Sequence, residues 1–416
     1  MSTGYSRRSV LRRGGAALVG AGSLSGCLGE VRGSESAVRF GTIFPLSAEG
    51  PLEVLGTHHR RAVEQAVEDV RAGGGPLGRD VELLARDSEV SPEAAVERCE
   101  ALQDENAVGF VGGLVSGVSL ALAEHIADDP IAQVSQSSTA PGLADRGYRE
   151  DTKYVGRTAP NDIQQASVMA KVLDDPKYVG ADDVAVLYLD DAFGNSLVTE
   201  VTAAVDADVI AEVPFESGAA SYDDTISTLL ADDPDGVAVV GSPGSTKDVL
   251  TRGLNSDYDG EWVLSAGLVP DALPNLYTNV YDATVMSQQS NGAQKLAQRL
   301  EDIAPLAPYT QHAYDALFLQ ALAIERAGEA TPEAIANNLQ AVSGGRGHTV
   351  TVGEFDRARK LLDAGREINY EGASGSVDLN ADLEPLSPYL IREVYRGSVR
   401  NRELVKTSFF EGGDDE

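Results

Sequence analysis

The run Val108-Gly109-Phe110-Val111-Gly112-Gly113-Leu114-Val115-Ser116-Gly117 decides the architecture of this chain. Its first four residues are apolar and do not alternate, the pattern of a strand buried on both faces. Gly112-Gly113 breaks the strand, and Leu120, Ala123 and Ile126 then recur at helical spacing, so Ser116 falls near a helix N-terminus. The next strand, Ile131-Ala132-Gln133-Val134, runs into Ser135-Gln136-Ser137-Ser138-Thr139-Ala140-Pro141, with Pro141 placed to begin another helix. Two neighbouring strands therefore present short hydroxyls and free backbone N–H groups at their carboxyl edge, where open α/β sheets bind ligands. Such a cluster holds a carboxylate without a cationic side chain, because hydroxyl donors and helix ends replace its water. Ser and Thr are equally ordinary helix caps, and the local pattern leaves both readings open.

The same strand and helix grammar extends in both directions. Apolar runs at Val38-Ile43, Val81-Ala85, Val184-Leu187, Val237-Val240 and Trp262-Leu264 read as further parallel strands. Between them Val63, Ala66, Val67 and Val70 mark an amphipathic helix, and Ala95, Val96, Ala101 and Leu102 another that begins at Pro92. Gly73 to Gly78 follows a helix and precedes a strand, the wrong order for a dinucleotide turn, and reads as a helix stop. The alternation predicts two α/β units with right-handed crossovers, divided near Arg157-Thr158-Ala159-Pro160-Asn161.

Composition narrows the function. The 416 residues carry 65 acids against 33 bases, a formal charge of −32, which repels nucleic acid and anionic membrane surfaces. Only seven of the bases are lysine, and with the acid excess this fits a surface adapted to high salt. The histidines, His58, His59, His125, His312 and His348, lack metal-site spacing, and neither a nucleophile elbow nor a phosphate loop is present. Asp190-Asp191 is the kind of acidic pair that so acidic a chain produces often, and Cys99 reads as a small buried apolar residue. No enzyme, metal or cofactor is expected.

The N-terminus reads as an address. Arg7-Arg8, followed by Arg12-Arg13 and a short apolar run to Gly22, resembles a twin-arginine export signal. Leu24-Ser25-Gly26-Cys27 resembles a lipobox, which makes Cys27 the lipid attachment point and 1–26 the removed peptide, with 27–37 a tether. Cleavage there removes four arginines and no acid, leaving a still more negative chain. The tail Glu411 to Glu416 is expected to fray.

From Phe40 to about Arg396 the chain resembles the substrate-binding lipoproteins of branched-chain amino acid ABC importers, relatives of the leucine/isoleucine/valine-binding proteins with the type I periplasmic binding fold. The resemblance rests on ordered pieces: Gly41-Thr42-Ile43-Phe44-Pro45-Leu46-Ser47, Leu77-Gly78-Arg79-Asp80-Val81, Gly113-Leu114-Val115-Ser116-Gly117, Arg157-Thr158-Ala159-Pro160-Asn161-Asp162, Asp190-Asp191-Ala192-Phe193-Gly194, Tyr314-Asp315-Ala316-Leu317 and Tyr370-Glu371-Gly372-Ala373-Ser374-Gly375. It implies two Rossmann-like lobes with parallel-sheet cores joined by three crossover segments, 38–158 plus 286–384 and 159–285 plus 385–416. It also implies a monomeric, membrane-anchored protein that captures a small amino acid, related carboxylate or amide between its lobes and delivers it to a permease. The alternatives are a sensor that feeds a signalling partner and, further off, a secreted hydrolase.

By the same resemblance the ligand carboxylate falls to Ser116 and to Ser137, Ser138 and Thr139. Phe193 stands where a closing Tyr is usual, Tyr309 fits a further site aromatic, and Leu55 fits a side-chain contact. Ser242 replaces a pocket Tyr, and Ala266 replaces the acid that binds a ligand ammonium. Either Asp271 substitutes for that acid, or the ligand is a carboxylate or amide without an amino group.

Overall fold

The computed structural model describes residues 36–269, 278–286 and 290–411. Cys27, the arginine pairs before it, Asp271 and the last five residues of the acidic tail lie outside the described residues. The early apolar runs form Val38–Phe44 (β1), Val81–Asp87 (β2), Gly109–Gly112 (β3) and Ala132–Ser135 (β4). A small hairpin, Tyr148–Arg149 (β5) with Thr152–Lys153 (β6), leads to Val155–Arg157 (β7). The first sheet is parallel throughout, in the order β2-β1-β3-β4-β7.

A second sheet takes Asp183–Leu189 (β8), Asp208–Phe215 (β9), Gly236–Val240 (β10), Glu261–Leu264 (β11) and Val280–Val285 (β12). His348–Thr351 (β13) and Ile368–Glu371 (β14) pair only with each other, whereas Tyr389–Tyr395 (β15) and Ser398–Val405 (β16) return to the second sheet. Its order is β16-β15-β12-β11-β10-β8-β9, and β15 and β16 run antiparallel, so this core is mixed rather than purely parallel. The edge strand β16 is mostly exposed and rich in charge, so it carries no apolar run to betray it.

Helices cover both faces of each sheet, which is why the strands do not alternate. On the first sheet α1 (Pro51–Ala72) buries Val63, Ala66, Val67 and Val70, and α2 (Pro92–Asp104) buries Ala95, Cys99 and Leu102. Pro92 starts α2 behind the Ser91 cap, whose side chain accepts the Ala94 N–H. Cys99 is fully buried, and burial pushes its thiol up to about 12, so it stays protonated and inert. Ser116–Asp128 is α3, Asp162–Asp174 is α4, Ala192–Ala204 is α5, Asp223–Leu229 is α6 and Lys247–Leu254 is α7; α4 and α5 pack on one face of the second sheet, α6 and α7 on the other. Asn291–Arg299 (α8) and Thr310–Ala327 (α9) return to the first sheet, where α9 is buried from Thr310 to Ile324.

The chain thus passes between the two sheets three times: at 158–161, between β12 and α8, and at 384–388. Two late motifs meet at Asp315 of α9, whose carboxylate accepts from Tyr370 Oη at 2.7 Å, Ala373 N at 2.8 Å and Ser374 N at 2.7 Å. A Cβ on Gly372 would sit 2.4 Å from the same carboxylate, so only glycine lets the loop approach. The first and third passages are joined by an ion pair that is almost wholly buried. Arg157 Nε donates to Glu384 Oε2 at 2.9 Å, Nη2 bonds the same oxygen, and Asn161 Nδ2 donates to it at 3.1 Å. Arg157→Met is expected to cost about 3–5 kcal/mol by leaving Glu384 buried without a counter-charge, with part recovered by adding Glu384→Met. Denaturant unfolding in high salt measures both.

Candidate functional site

In each sheet the strand order reverses at one point, and the loops leaving that point form a crevice at the carboxyl edge. In the first sheet it lies between β1 and β3, whose following loops enter α1 and α3. In the second it lies between β8 and β10, followed by α5 and by the Gly241–Thr246 loop. These are the loops that carry Leu55, Ser116, Phe193 and Ser242.

The two edges face each other and touch. The position of a Cβ on Gly117, in the first turn of α3, lies 3.6 Å from Ala192 Cβ, in the first turn of α5. Gly244, with φ +90°, reaches Pro51 at the start of α1, and a Cβ there would come within 2.6 Å of its ring. The space between the sheets is therefore closed at two points.

Ser116 is the first residue of α3, and its hydroxyl accepts from Ala140 N at 3.4 Å, stitching the β3 loop to the β4 loop. Ser137 is half-buried and donates to Leu114 O at 2.7 Å, and Thr139 is buried. Ser138 corrects the expectation for a ligand donor. It is fully buried, donates to Gly113 O at 3.1 Å and pairs with Ser119 Oγ at 2.7 Å, so its hydroxyl is spent on bracing the loop. Phe193 is half-buried against the second core, held by the Asp191 cap that accepts the Gly194 N–H. Ser242 and Ala266 are half-buried just past the ends of the paired strands β10 and β11, and Leu55 lies one turn along α1 from Pro51. Tyr309 caps α9 with φ +62°, and its ring meets His312 edge-on at 5.1 Å.

Four residues of this region were not singled out from sequence. His59 is fully buried on α1, its Nε2–H donating to Pro308 O at 2.7 Å while Nδ1 accepts from Gln136 Nε2 at 3.2 Å. Burial drives the pKa of His59 down to about 4 and of His312 to about 3, His59 adding to the latter, so both imidazoles are neutral. Gln136 Oε1 and His312 Nδ1 are buried without a hydrogen-bond partner. Asp162, the first residue of α4, is fully buried, and neither carboxylate oxygen has a partner of proper geometry. Burial raises its pKa to about 7; the Thr139 hydroxyl and the Arg157 charge oppose this only in part. Its sequence signal was there, in Arg157-Thr158-Ala159-Pro160-Asn161-Asp162, but it read as a boundary.

Two α/β edges thus meet at loops and helix starts that carry hydroxyls and rings. A family profile described as "Periplasmic binding protein" matches residues 37–374. The chain belongs to that family. It is 44% identical over 379 residues, 91% of this chain and 92% of the relative, to a "Chemotactic signal transduction system substrate-binding protein BasB" of Halobacterium salinarum. It is 27% identical over 313 residues, 70% of this chain and 79% of the relative, to a "Leu/Ile/Val-binding protein homolog 3" of Brucella melitensis. In fold it resembles the branched-chain amino acid transporter substrate-binding protein LivJ of Streptococcus pneumoniae, solved with isoleucine, with TM-score 0.72 and 18% identity over 89% of this chain and all of that one. The fold is thus the α/β type I periplasmic binding architecture, and the family is one of extracytoplasmic binding proteins rather than enzymes. No helix among the described residues is long and apolar enough to cross a membrane.

Asp162 makes the binding region a stability liability that depends on pH. A raised carboxyl pKa means the folded state holds its proton while the unfolded state releases it, so stability is lost as pH climbs from about 4 towards about 7. The penalty above pH 7 is on the order of 4 kcal/mol. Asp162→Asn is expected to raise the melting temperature of the ligand-free protein at pH 8, and to raise it much less at pH 5, as differential scanning calorimetry would record.

Proposed function

We infer that this protein captures a small carboxylate-bearing solute of the branched-chain amino acid class between its two sheets and presents the closed, loaded form to a membrane partner. The observation that carries this reading is Ser116 and Thr139 at facing loops of the first sheet's carboxyl edge, opposite Phe193 on the second. A ligand carboxylate there would meet hydroxyls and the N-terminal turn of α3, where the helix dipole favours negative charge. Phe193, brought near by the Gly117–Ala192 contact, would supply ring area over the solute. Closure follows because a ligand touching both edges binds the closed form better than the open one.

Calorimetric titration tests the site. Ser116→Ala combined with Thr139→Ala is expected to weaken a branched-chain ligand about 100-fold, the loss of two hydrogen bonds to a charged group. Unchanged affinity would remove these residues from the site. The wild-type protein is also expected to melt at higher temperature with ligand, since only the folded state binds it.

Two partners fit. Delivery to an ABC permease is one, compatible with the likeness to Leu/Ile/Val-binding proteins. A chemotactic transducer is favoured by the 44% identity to a chemotaxis substrate-binding protein over nearly the whole of both chains. Deleting the gene separates them: lost attraction with intact uptake of labelled ligand means sensing, and lost uptake means import. Anchoring through Cys27 completes the reading, and Cys27→Ala is expected to move the protein from the membrane fraction to the medium, as immunoblots of the two fractions would show.

A further inference from the structure

The fold keeps a buried carboxylate where the first passage between the two sheets ends. Asp162 is fully buried, and neither oxygen has a hydrogen-bond partner of proper geometry, the Thr139 hydroxyl beside it relieving the burial only in part. Burying an ionised carboxylate without a partner costs several kcal/mol, so a group kept in this state points to a partner that arrives from outside. The cation that acts on it, Arg157, is committed: its guanidinium bonds Glu384, Ser138 O at 3.3 Å and Ala140 O at 2.9 Å. The surroundings of Asp162 are candidate site residues. Thr139 shares its backbone with it through Asp162 N donating to Thr139 O at 2.8 Å, and the Tyr309 phenol feels the Asp162 charge. Elsewhere among the candidate residues Gln136 Oε1 is a buried acceptor without a partner, on the residue that donates to His59. A buried carboxylate without a well-formed hydrogen bond asks for a positively charged N–H donor.

We propose that Asp162 is the counter-charge for a ligand ammonium, which makes the ligand an α-amino acid and not a carboxylate lacking an amino group. This rests on the cleft reading above and narrows it: Ser116 and Thr139 take the carboxylate, and Asp162, at the first passage between the sheets, takes the amino end. An ammonium there also draws on both halves of the molecule, since Thr139 leaves the first sheet and Asp162 opens the helix that packs on the second.

The experiment compares matched pairs by titration calorimetry: leucine with 4-methylpentanoate, isoleucine with 3-methylpentanoate and valine with 3-methylbutanoate. The wild-type protein is expected to prefer the amino acid of a pair by about 100-fold or more, and Asp162→Asn to cut that preference below about tenfold by weakening the amino acid alone. Preference retained in Asp162→Asn overturns the assignment, as does a wild-type protein that binds the deaminated acids equally well; in both cases the cleft reading stands. If no member of any pair binds, the cleft reading itself fails and this assignment with it.

A second measurement needs no variant. The groups facing Asp162 are Thr139 from the β4 loop, Arg157 from β7, Glu200 from α5, Tyr309 from α9 and Tyr389 from β15. Burial holds both phenols far above this range, and His59 and His312 stay neutral between pH 6 and 8. Affinity for the amino acid should therefore rise from pH 6 to 8 with release of a proton, seen as a dependence of binding heat on buffer ionisation, while the deaminated acid shows neither. A flat profile with no proton release overturns the assignment.

Discussion

The structure depends on how Arg157 and Glu384 are held. They come from the first and third passages between the sheets, more than two hundred residues apart in the chain, and each is nearly inaccessible to water. Two charges taken out of water are stable only when geometry and further hydrogen bonds compensate for lost hydration. Arg157 meets this condition by using its remaining donors on Ser138 O and Ala140 O, and Glu384 by accepting from Asn161 as well. The pair therefore clamps the passages and at the same time sets the loop that carries Ser137 and Thr139. Gln164 adds a neutral brace beside it, donating to Pro385 O at 3.0 Å and accepting from Ser387 N at 2.9 Å.

The ion pairs on the outside have a different character. Arg39–Glu82, Arg98–Glu89 and Arg146–Glu124 are half-exposed, and pairs of this kind contribute up to about 1 kcal/mol each and less in salt. They moderate self-repulsion in a chain of charge −32 without deciding its shape. The buried polar groups are the opposite: two neutral imidazoles, an amide, hydroxyls, the Asp162 carboxyl and the Arg157–Glu384 pair. A charge among them counts for more than one on the surface, because little water remains to screen it.

The strands β1 to β4, β8, β10 and β11 were legible in sequence, and the reason is burial. Runs such as Val237-Ala238-Val239-Val240 are fully buried because helices cover both faces of the sheet, so apolarity alone marks them. Among the others, β9, β15 and β16 carry no apolar run because partial exposure gives them mixed residues at short period, and the mostly buried β12 is interrupted by Asp282 and Thr284. Ser116 was placed correctly at the start of its helix, since the Gly112-Gly113 break and the apolar spacing after it are local signals. Ser138 was misjudged because nothing local tells which of several adjacent hydroxyls is consumed by Gly113 O and Ser119.

Local order, burial on two faces and the succession of family motifs were therefore written in the chain: an α/β molecule with hydroxyls at a strand edge. The polar character of the crevice was not, because it is assembled from positions 59, 136, 162 and 312, which lie on four separate elements. No periodicity relates such positions. Whether an Asp is a solvated surface acid or a buried one depends on what packs over it, and that became visible for Asp162 once α9, β15 and the β4 loop had closed around it.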